Sequence, residues 1–329
     1  MKTLIMNKIK ILAKLVFILF KTGSIKMAFF FSVLKGGANI QLVREFSLKE
    51  KSLTHIKSGK TIHMANLRVF NNDVSILKEA FENFSLEEIQ GKLYTSMMKH
   101  GKKLKLQINS FDGWSAFYEI LFKDMYEALF AEDAVVVDVG MNVGTASLFF
   151  ASHDNVKKVY GFEPISSSCT VAETNFKLNE IGSKIQFTCA ALGKGEKMIQ
   201  IPKAFSGSVG ASVTDFVMEQ IHQPSDFKST IDVLVKDAST VIIEIMEKHT
   251  EKIFLKLDCE GAEYEIIDDL FEQGLLSKIS FIIIEWHYKG KRVLVEKLTQ
   301  AGFNLFVPDL SVGIPVGLIY GVNRNSLSL

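Results

Sequence analysis

The chain has 329 residues and a formal net charge of +1, with 47% hydrophobic and 23% charged residues. This composition excludes an intrinsically disordered chain, and the near-neutral charge argues against a nucleic-acid-binding protein with a broad basic face. The length suits one large α/β domain with a smaller N-terminal region.

The first 44 residues carry eight basic side chains and no acidic one. The apolar run at 9–20 is interrupted by Lys10 and Lys14 and is shorter than the ~20 residues of a membrane-spanning helix. At helical spacing the basic residues form a narrow stripe beside a wide apolar face, as in helices that lie on anionic membranes. Two interpretations stay open for residues 1–44: peripheral membrane contact, or packing on the chain's own domain or a partner subunit.

Residues 45–114 are predicted to form a helical N-terminal region. Two capping-box signatures, Ser47-Leu-Lys-Glu50 and Ser85-Leu-Glu-Glu88, mark expected helix starts. A turn-rich segment and an amphipathic helix follow, and they could cover a ligand cleft. Asp112, Trp114 and Tyr126 could reach a ligand there, but such side chains are more often structural, so we do not assign them to a site.

The next segment, residues 135–144, is the most informative part of the chain. A run of β-branched residues ends in Asp138 and is followed by Gly140 and Gly144, which predicts a buried strand, a sharp turn and a helix. The N-terminus of such a helix leaves room for a nucleoside-type cofactor. The alternative is a purely structural turn, because short glycine motifs produce false positives.

After Gly144 strands and helices alternate, which predicts a parallel sheet covered by helices. Glu163 ends the second strand, about 25 residues after Asp138, where an acid can accept hydrogen bonds from both ribose hydroxyls of a nucleotide. Residues 194–236 break the alternation with strand-like pieces at 198–202, 212–216 and 231–235, and we interpret them as an insertion or an irregular hairpin.

Polar side chains follow four of the predicted strands. These residues are Asp138, Glu163, Asp258 with Glu260, and Glu285 with His287. Because ligands bind at the carboxyl ends of open α/β sheets, we expect these side chains to share one edge. Buried acids need a ligand, a cation or hydrogen bonds to offset desolvation. Lys256, on the same face as Asp258, is a predicted partner, and an internal salt-bridge network is the alternative.

Several motifs together resemble one family. They are Asp138–Gly144, Phe162-Glu-Pro164, Asn175 with Asn179, Lys256–Glu263 and Ile283–His287. This combination, over about residues 115–308, is similar to the FkbM-type methyltransferases. The resemblance implies S-adenosylmethionine as cofactor and a Rossmann-like class I methyltransferase domain at 115–329. Its sheet would have seven mostly parallel strands, the last one antiparallel. Met141 departs from the usual small residue and crowds the turn.

The resemblance and the strand-end acids predict O-methylation of a sugar hydroxyl or a related polyhydroxylated metabolite. An alcohol acceptor needs a general base, for which His287 is the first candidate and Asp258 the second. Glu260 would orient the acceptor or help to hold a divalent cation, although no metal ligand is assigned. The predicted cofactor contacts are Asp138, Gly140, Asn142, Gly144, Glu163, Ala190 and Asp258.

Two other functions compete with this interpretation. An NAD-type Rossmann oxidoreductase shares the strand, turn and helix, but Asn142 stands where its fingerprint has a second glycine. A catalytically inactive membrane-surface scaffold would explain the cationic N-terminus.

Partners and compartment follow from the same features. We expect a small-molecule or glycan acceptor, no nucleic acid, and a cytoplasmic protein, with peripheral membrane association as one of the two open interpretations of residues 1–44. The isolated Cys169, Cys189 and Cys259 predict neither a disulfide framework nor a zinc site.

Overall fold

The computed structural model describes residues 39–127, 132–202, 230–308 and 316–326, together with six single positions before residue 39. The chain divides into two compact units. The first contains residues up to Met98 and Lys103–Tyr118, and the second contains Lys99–Lys102 and Glu119–Leu329. Most of the predicted helix at 1–44 lies outside the described residues. No helix in the described ranges is long and apolar enough to cross a membrane.

The first unit contains two small sheets and short helices. In chain order its elements are α1 (Ile40–Val43), β1 (Phe46–Lys49), β2 (Ser52–His55), β3 (Thr61–His63), α2 (Val74–Asn83), β4 (Ser85–Ile89), β5 (Lys92–Lys99), β6 (Lys102–Ile108) and α3 (Phe111–Ala116). Strands β1, β2 and β3 form an antiparallel sheet, and β4, β5 and β6 form a second sheet in that order. Trp114 packs edge-on against Phe70 and Phe84, so it is a core residue of this unit.

The prediction that residues 45–114 are mainly helical is wrong. Both capping-box signatures lie in strands, β1 and β4. Ile89, the last residue of β4, is 47% exposed. The two-residue turns at 90–91 and 100–101 have positive φ at both positions, as a type I′ hairpin turn requires. Hairpin geometry therefore outweighed the local helix-start signals.

The second unit is built around a seven-stranded sheet. The strands of this unit are β7 (Ala134–Val139), β8 (Val156–Phe162), β9 (Ile185–Thr188), β10 (Ala191–Gly193), β11 (Lys197–Pro202), β12 (Thr230–Asp237), β13 (Lys252–Leu257), β14 (Phe281–His287), β15 (Phe303–Phe306) and β16 (Val316–Asn323). The order in the large sheet is β15-β16-β14-β13-β7-β8-β9. Strand β16 is antiparallel to both neighbours, and the other described pairs are parallel. The predicted seven-stranded, mostly parallel sheet is confirmed.

Helices follow the strands of this sheet along the chain. They are α4 (Thr145–Ala151), α5 (Ser166–Lys177), α6 (Ala238–Lys248), α7 (Glu263–Glu272) and α8 (Arg292–Gln300). Every residue of β7 is buried, which explains its β-branched composition, since both faces of a central parallel strand are covered. The core cluster joins β7, β13 and β14 to apolar residues of α6, α7 and α8.

The insertion forms a small sheet of its own. Strand β12 lies between β10, to which it is parallel, and β11, to which it is antiparallel. Ile201, Val233 and Val235 form part of its buried core. The predicted strands at 198–202 and 231–235 are confirmed, while the one predicted at 212–216 lies outside the described residues.

The expectation of no disulfide is wrong. Cys169 on α5 and Cys189 directly after β9 are bonded, with their Cα atoms 6.2 Å apart. The two cysteines follow β8 and β9, which are neighbours in the sheet. Parallel pairing thus brings together two residues that looked isolated in the sequence. Cys259 is a free thiol.

Candidate active site

The carboxyl ends of four neighbouring strands meet at one edge of the large sheet. Strand β7 pairs with β8 on one side and with β13 on the other, and β13 pairs with β14. This order brings the polar strand ends together, as the sequence predicted. Ala190 follows β9 at the same edge, where its N–H donates to the carbonyl of Thr188.

The turn after β7 is closely packed against its neighbours. Gly140 has φ +77°, and a Cβ there would lie 1.7 Å from the carbonyl oxygen of Asp258. Gly144 has φ +82°, and a Cβ there would meet the Phe176 ring at 2.5 Å. Asn175 donates from its side chain to the carbonyl of Val143. These contacts explain both glycines and confirm the predicted strand, turn and helix.

Asp138, near the end of β7, supports the turn that follows this strand. Its Oδ2 accepts a hydrogen bond from Ser147 at 2.6 Å, and its Oδ1 forms an ion pair with the Lys256 ammonium at 3.0 Å. The carboxylate is completely buried. Asp138 therefore fixes the turn through Ser147 and Lys256.

Lys256 joins the two halves of the edge. Its Nζ donates to the carbonyl of Gly140 at 2.8 Å and lies 3.0 Å from Asp138 and 3.5 Å from Asp258. Burial lowers the pKa of Lys256, but the charges of the two aspartates outweigh burial and hold the pKa above its usual value. The predicted pairing with Asp258 is confirmed, and the predicted salt-bridge network exists around this ammonium.

Glu163 is a buried acid that already caps two backbone groups. Its Oε2 accepts from the N–H of Asn142 at 3.0 Å and its Oε1 from the N–H of Ile165 at 2.9 Å. Burial raises the pKa of Glu163 to about 7, although these bonds act in the opposite direction. Because each carboxylate oxygen has two lone pairs, Glu163 can still accept hydrogen bonds from a diol.

A second set of acidic residues lies near the carboxyl ends of β13 and β14. Tyr126, 1% exposed, donates from its hydroxyl to Asp258 Oδ2 at 3.2 Å or to Glu285 Oε2 at 3.3 Å. Burial and the charge of Asp258 raise the pKa of both Glu285 and Glu119. This end of the edge therefore brings together carboxyl groups whose charged forms are costly around a hydroxyl donor.

His287 lies among these acids. Its Nδ1 is 3.0 Å from Glu263 Oε1, while its Nε2 is 3.8 Å from Glu260 Oε2 and 4.0 Å from Glu285 Oε1. Burial lowers the pKa of His287, but the bond to Glu263 and the surrounding carboxylates raise it to about 9. The free imidazole is thus protonated at neutral pH, so a role as general base requires that a ligand first displace this proton.

Two glutamates hold the loop after β13. Glu263 is fully buried and accepts from the N–H groups of Cys259 and Gly261. Glu260 has φ +54° and accepts a hydrogen bond from Tyr288 at 3.0 Å. Glu263 orients His287 from one side, and Glu260 faces it from the other.

Sequence reasoning did not assign Tyr126, Glu263 or Tyr288 to the site. Glu263 had a readable signal, because an acid at a helix start after a glycine commonly accepts from free backbone N–H groups. Tyr126 contacts Asp258 across 132 positions of sequence, and no local spacing indicates such a contact.

A sequence model of the methyltransferase FkbM domain matches residues 138–305, just over half of the chain. No curated protein matches. The solved structure of an FkbM methyltransferase from Methylobacillus flagellatus KT is 14% identical, with a TM-score of 0.42 over 62% of this chain and 47% of that chain. This chain thus spans about half the length of that relative.

Two further solved structures are similar to this chain. A precorrin-6y C5,15-methyltransferase from Geobacter metallireducens is 13% identical, with a TM-score of 0.36 over 63% of this chain and 88% of that chain. A Streptococcus pneumoniae protein described as a putative tRNA (m1A22) methyltransferase, in complex with S-adenosyl-L-methionine, is 14% identical. Its TM-score is 0.33 over 60% of this chain and 69% of that chain.

Proposed function

The chain belongs to the FkbM methyltransferase family, and from that premise we propose that it transfers a methyl group from S-adenosylmethionine to a hydroxyl oxygen of a sugar or related polyhydroxylated metabolite. One observation carries the proposal: two groups of polar residues lie side by side at the edge of the large sheet. Glu163 lies beside the glycine turn on one side of Lys256, and the cluster with Asp258 and His287 lies on the other side.

The cofactor would occupy the Glu163 end of the edge. Glu163 would accept the ribose hydroxyls, and the turn at 140–144 would approach the cofactor closely. Asp138 would hold that turn, and Ala190 would form part of the wall. The positive charge of a sulfonium is also compatible with an edge rich in carboxylates.

The acceptor would occupy the Asp258 end. In the transfer the sulfur–carbon bond breaks as the oxygen–carbon bond forms, and the acceptor hydroxyl loses its proton. Holding the two reactants in line supplies much of the rate. We propose that Asp258, Glu260 and His287 orient the hydroxyl and take its proton, with His287 acting after ligand binding has released its own proton.

The charge at this end bears on the class of acceptor. Carboxylates accept hydrogen bonds from sugar hydroxyls but repel phosphate groups. Asp258, Glu260 and Glu285 therefore support a neutral small molecule or glycan and disfavour a nucleic acid.

Two broader assignments also stay proposals. We propose that residues 115–329 form the methyltransferase domain and that 45–114 form a separate N-terminal region. Peripheral membrane contact through residues 1–44 is proposed from their charge pattern alone. A cytoplasmic location also stays a proposal, which the Cys169–Cys189 bond disfavours because disulfides are rare in reducing compartments.

Calorimetric titration with S-adenosylhomocysteine tests the proposed function, with NAD as the control ligand. We expect S-adenosylhomocysteine to bind at about one molecule per chain and NAD not to bind. Binding of NAD alone would favour the oxidoreductase interpretation. Binding of neither ligand would contradict the proposal and favour a catalytically inactive scaffold.

A further inference from the structure

The orientation of His287 suggests a partner beyond the protein itself. The imidazole is 5% exposed, and its Nδ1 is bonded to the buried carboxylate of Glu263. In the described part of the chain the nearest acids to Nε2 are 3.8 and 4.0 Å away, beyond hydrogen-bond distance. In metal sites, a ligating histidine commonly donates its other ring N–H to a carboxylate, and His287 has this arrangement with Glu263.

The spacing of the surrounding groups fits a cation. Asp258, Glu285 and His287 each offer one ligand atom, and these atoms lie within 4.8 Å of one another. Ligands about 2.1 Å from a common ion are about 3–4.2 Å apart, so small side-chain adjustments would complete the site. Tyr126 contacts one oxygen of each of the two acids, Asp258 Oδ2 and Glu285 Oε2, and each acid has a second oxygen.

The local charge balance also favours a cation. Five carboxyl groups surround this point: Asp258, Glu260, Glu263, Glu285 and Glu119. Lys256 is the buried cation nearby, and its ammonium is engaged by Asp138 and by the carbonyl of Gly140. Carboxyl groups therefore outnumber Lys256 and the protonated His287 at the acceptor end, and a bound cation would stabilise the charged carboxylates that burial disfavours.

We propose that the acceptor end holds a first-row divalent cation such as Mn²⁺, ligated by His287 Nε2 and the carboxylates of Asp258 and Glu285. A mixed set of one imidazole and two carboxylates suits Mn²⁺ and leaves coordination positions open. An acceptor hydroxyl bound there would ionise more readily, as water does on a metal. Because His287 Nε2 would then be a metal ligand, the proton would pass to Glu260, whose Oε2 lies 3.8 Å from that nitrogen, and His287 would act as a base only in the absence of the ion. The inference rests on the proposed function, because it assigns this cation to the acceptor end of the same site.

A second cluster provides an internal comparison. His100, Glu127 and His153 also bring three ligand atoms within 4.8 Å of one another. There, burial together with the positive charges of His100, Lys102 and Lys184 lowers the pKa of His153 to about 4. A cation at that point would meet two lysines, so we assign the ion to the His287 cluster.

The test measures Mn²⁺ binding by the full chain after treatment with a chelator. The electron paramagnetic resonance signal of free Mn²⁺ reports how much of the added ion is not bound. We expect about one bound ion per chain. Glu285→Gln should weaken binding by at least about tenfold, and the positioning variant Glu263→Gln by about tenfold. His100→Gln, which changes the comparison cluster, should leave binding unchanged.

Two results would overturn the inference: no Mn²⁺ binding by the wild type at millimolar concentration, or binding that His100→Gln removes and Glu285→Gln preserves. Titration of each sample with S-adenosylhomocysteine reports folding and tests the proposed function separately. If Glu285→Gln fails to bind S-adenosylhomocysteine, His287→Gln takes its place under the same criteria.

Discussion

Glu163 shows how one carboxyl group can serve both the fold and a ligand. It caps the N–H groups of Asn142 and Ile165 while it is almost fully buried. Desolvation raises the pKa of Glu163 and hydrogen bonding lowers it, and the effect of desolvation is the larger one. The charged form is therefore costly in the free protein, and hydroxyl donors from a ligand would stabilise it.

Replacing Glu163 should remove cofactor binding. Glu163→Ala loses the acceptor for two ribose hydroxyls, and hydrogen bonds to a charged group contribute about 1.5–3 kcal/mol each. We expect affinity for S-adenosylhomocysteine to fall by at least about 100-fold in calorimetric titration. Glu173→Ala, on the exposed ion pair with Lys177, is the matched control. Unchanged affinity in Glu163→Ala would contradict the cofactor assignment.

The same carboxyl group should make stability depend on pH. Its native pKa of about 7 exceeds its usual value of 4.5, so between these values the native state binds more protons than the unfolded state. Its contribution is fully present below pH 4.5 and is lost as pH rises through 7. The shift corresponds to about 3 kcal/mol.

Urea unfolding at pH 5 and pH 8 checks this dependence. We expect the free energy of unfolding of the wild type to fall by about 2.5 kcal/mol more over this interval than that of Glu163→Gln, which cannot ionise. Equal changes in both proteins would show that Glu163 does not titrate in this range.

At the scale of elements, the turn between β7 and α4 is fixed by a close approach. Gly140→Ala should be disruptive because its Cβ would lie 1.7 Å from a backbone oxygen of the loop after β13. Gly195 has a similar φ of +73°, but nothing lies within 4 Å of an added Cβ, so Gly195→Ala isolates the backbone strain. We expect Gly140→Ala to cost about 1–3 kcal/mol more than this control. Thermal unfolding and S-adenosylhomocysteine titration measure both effects, and equal costs would contradict the packing argument.

The disulfide between α5 and the segment after β9 gives another prediction. Cys169 and Cys189 are 20 positions apart, and closing a loop of that length stabilises a protein by about 3 kcal/mol in the chain-entropy treatment. We expect dithiothreitol to lower the unfolding midpoint of the wild type in urea but not that of Cys189→Ser. Thiol titration should find one free thiol, Cys259, before reduction. Three free thiols in the oxidised protein would contradict the bond.

Sequence patterns predicted the large sheet well and the first unit poorly, and the reason is physical. The central strands β7, β13 and β14 are mostly buried, so their runs of apolar residues identify them as strands in the sequence. In the N-terminal region the hairpin turns at 90–91 and 100–101 use Gln-Gly and His-Gly, which lack the usual Asn or Asp before glycine. Short amphipathic strands then resembled turns of helix.

The site could be predicted only to the extent that the order of the strands determines which strand ends lie close together. Parallel order places Glu163, Asp258 and His287 at one edge without any knowledge of side-chain contacts. The partners Tyr126 and Glu263 depend on tertiary packing, which spacing does not encode. The raised pKa of His287 also follows from packing, so its protonation state could not be inferred from the sequence.

For the whole molecule, a net charge of +1 hides an uneven distribution. The acceptor end is acidic, and the N-terminal 44 residues are basic. We expect no methylation of bulk tRNA under conditions in which a sugar acceptor incorporates label from methyl-labelled S-adenosylmethionine. Salt-sensitive transfer of label to tRNA would contradict the proposed acceptor class, since phosphate contacts weaken as salt rises.

The crowding introduced by Met141 is accommodated on the neighbouring strand. Met141 is 1% exposed, and its sulfur would lie 2.5 Å from a Cβ at Gly161 on β8. A side chain at residue 161 would therefore require the thioether of Met141 to shift, so the room for residue 141 depends on the missing Cβ of Gly161. Met141 and Gly161 thus pack as one unit, and substitutions at the two positions should have non-additive effects on stability.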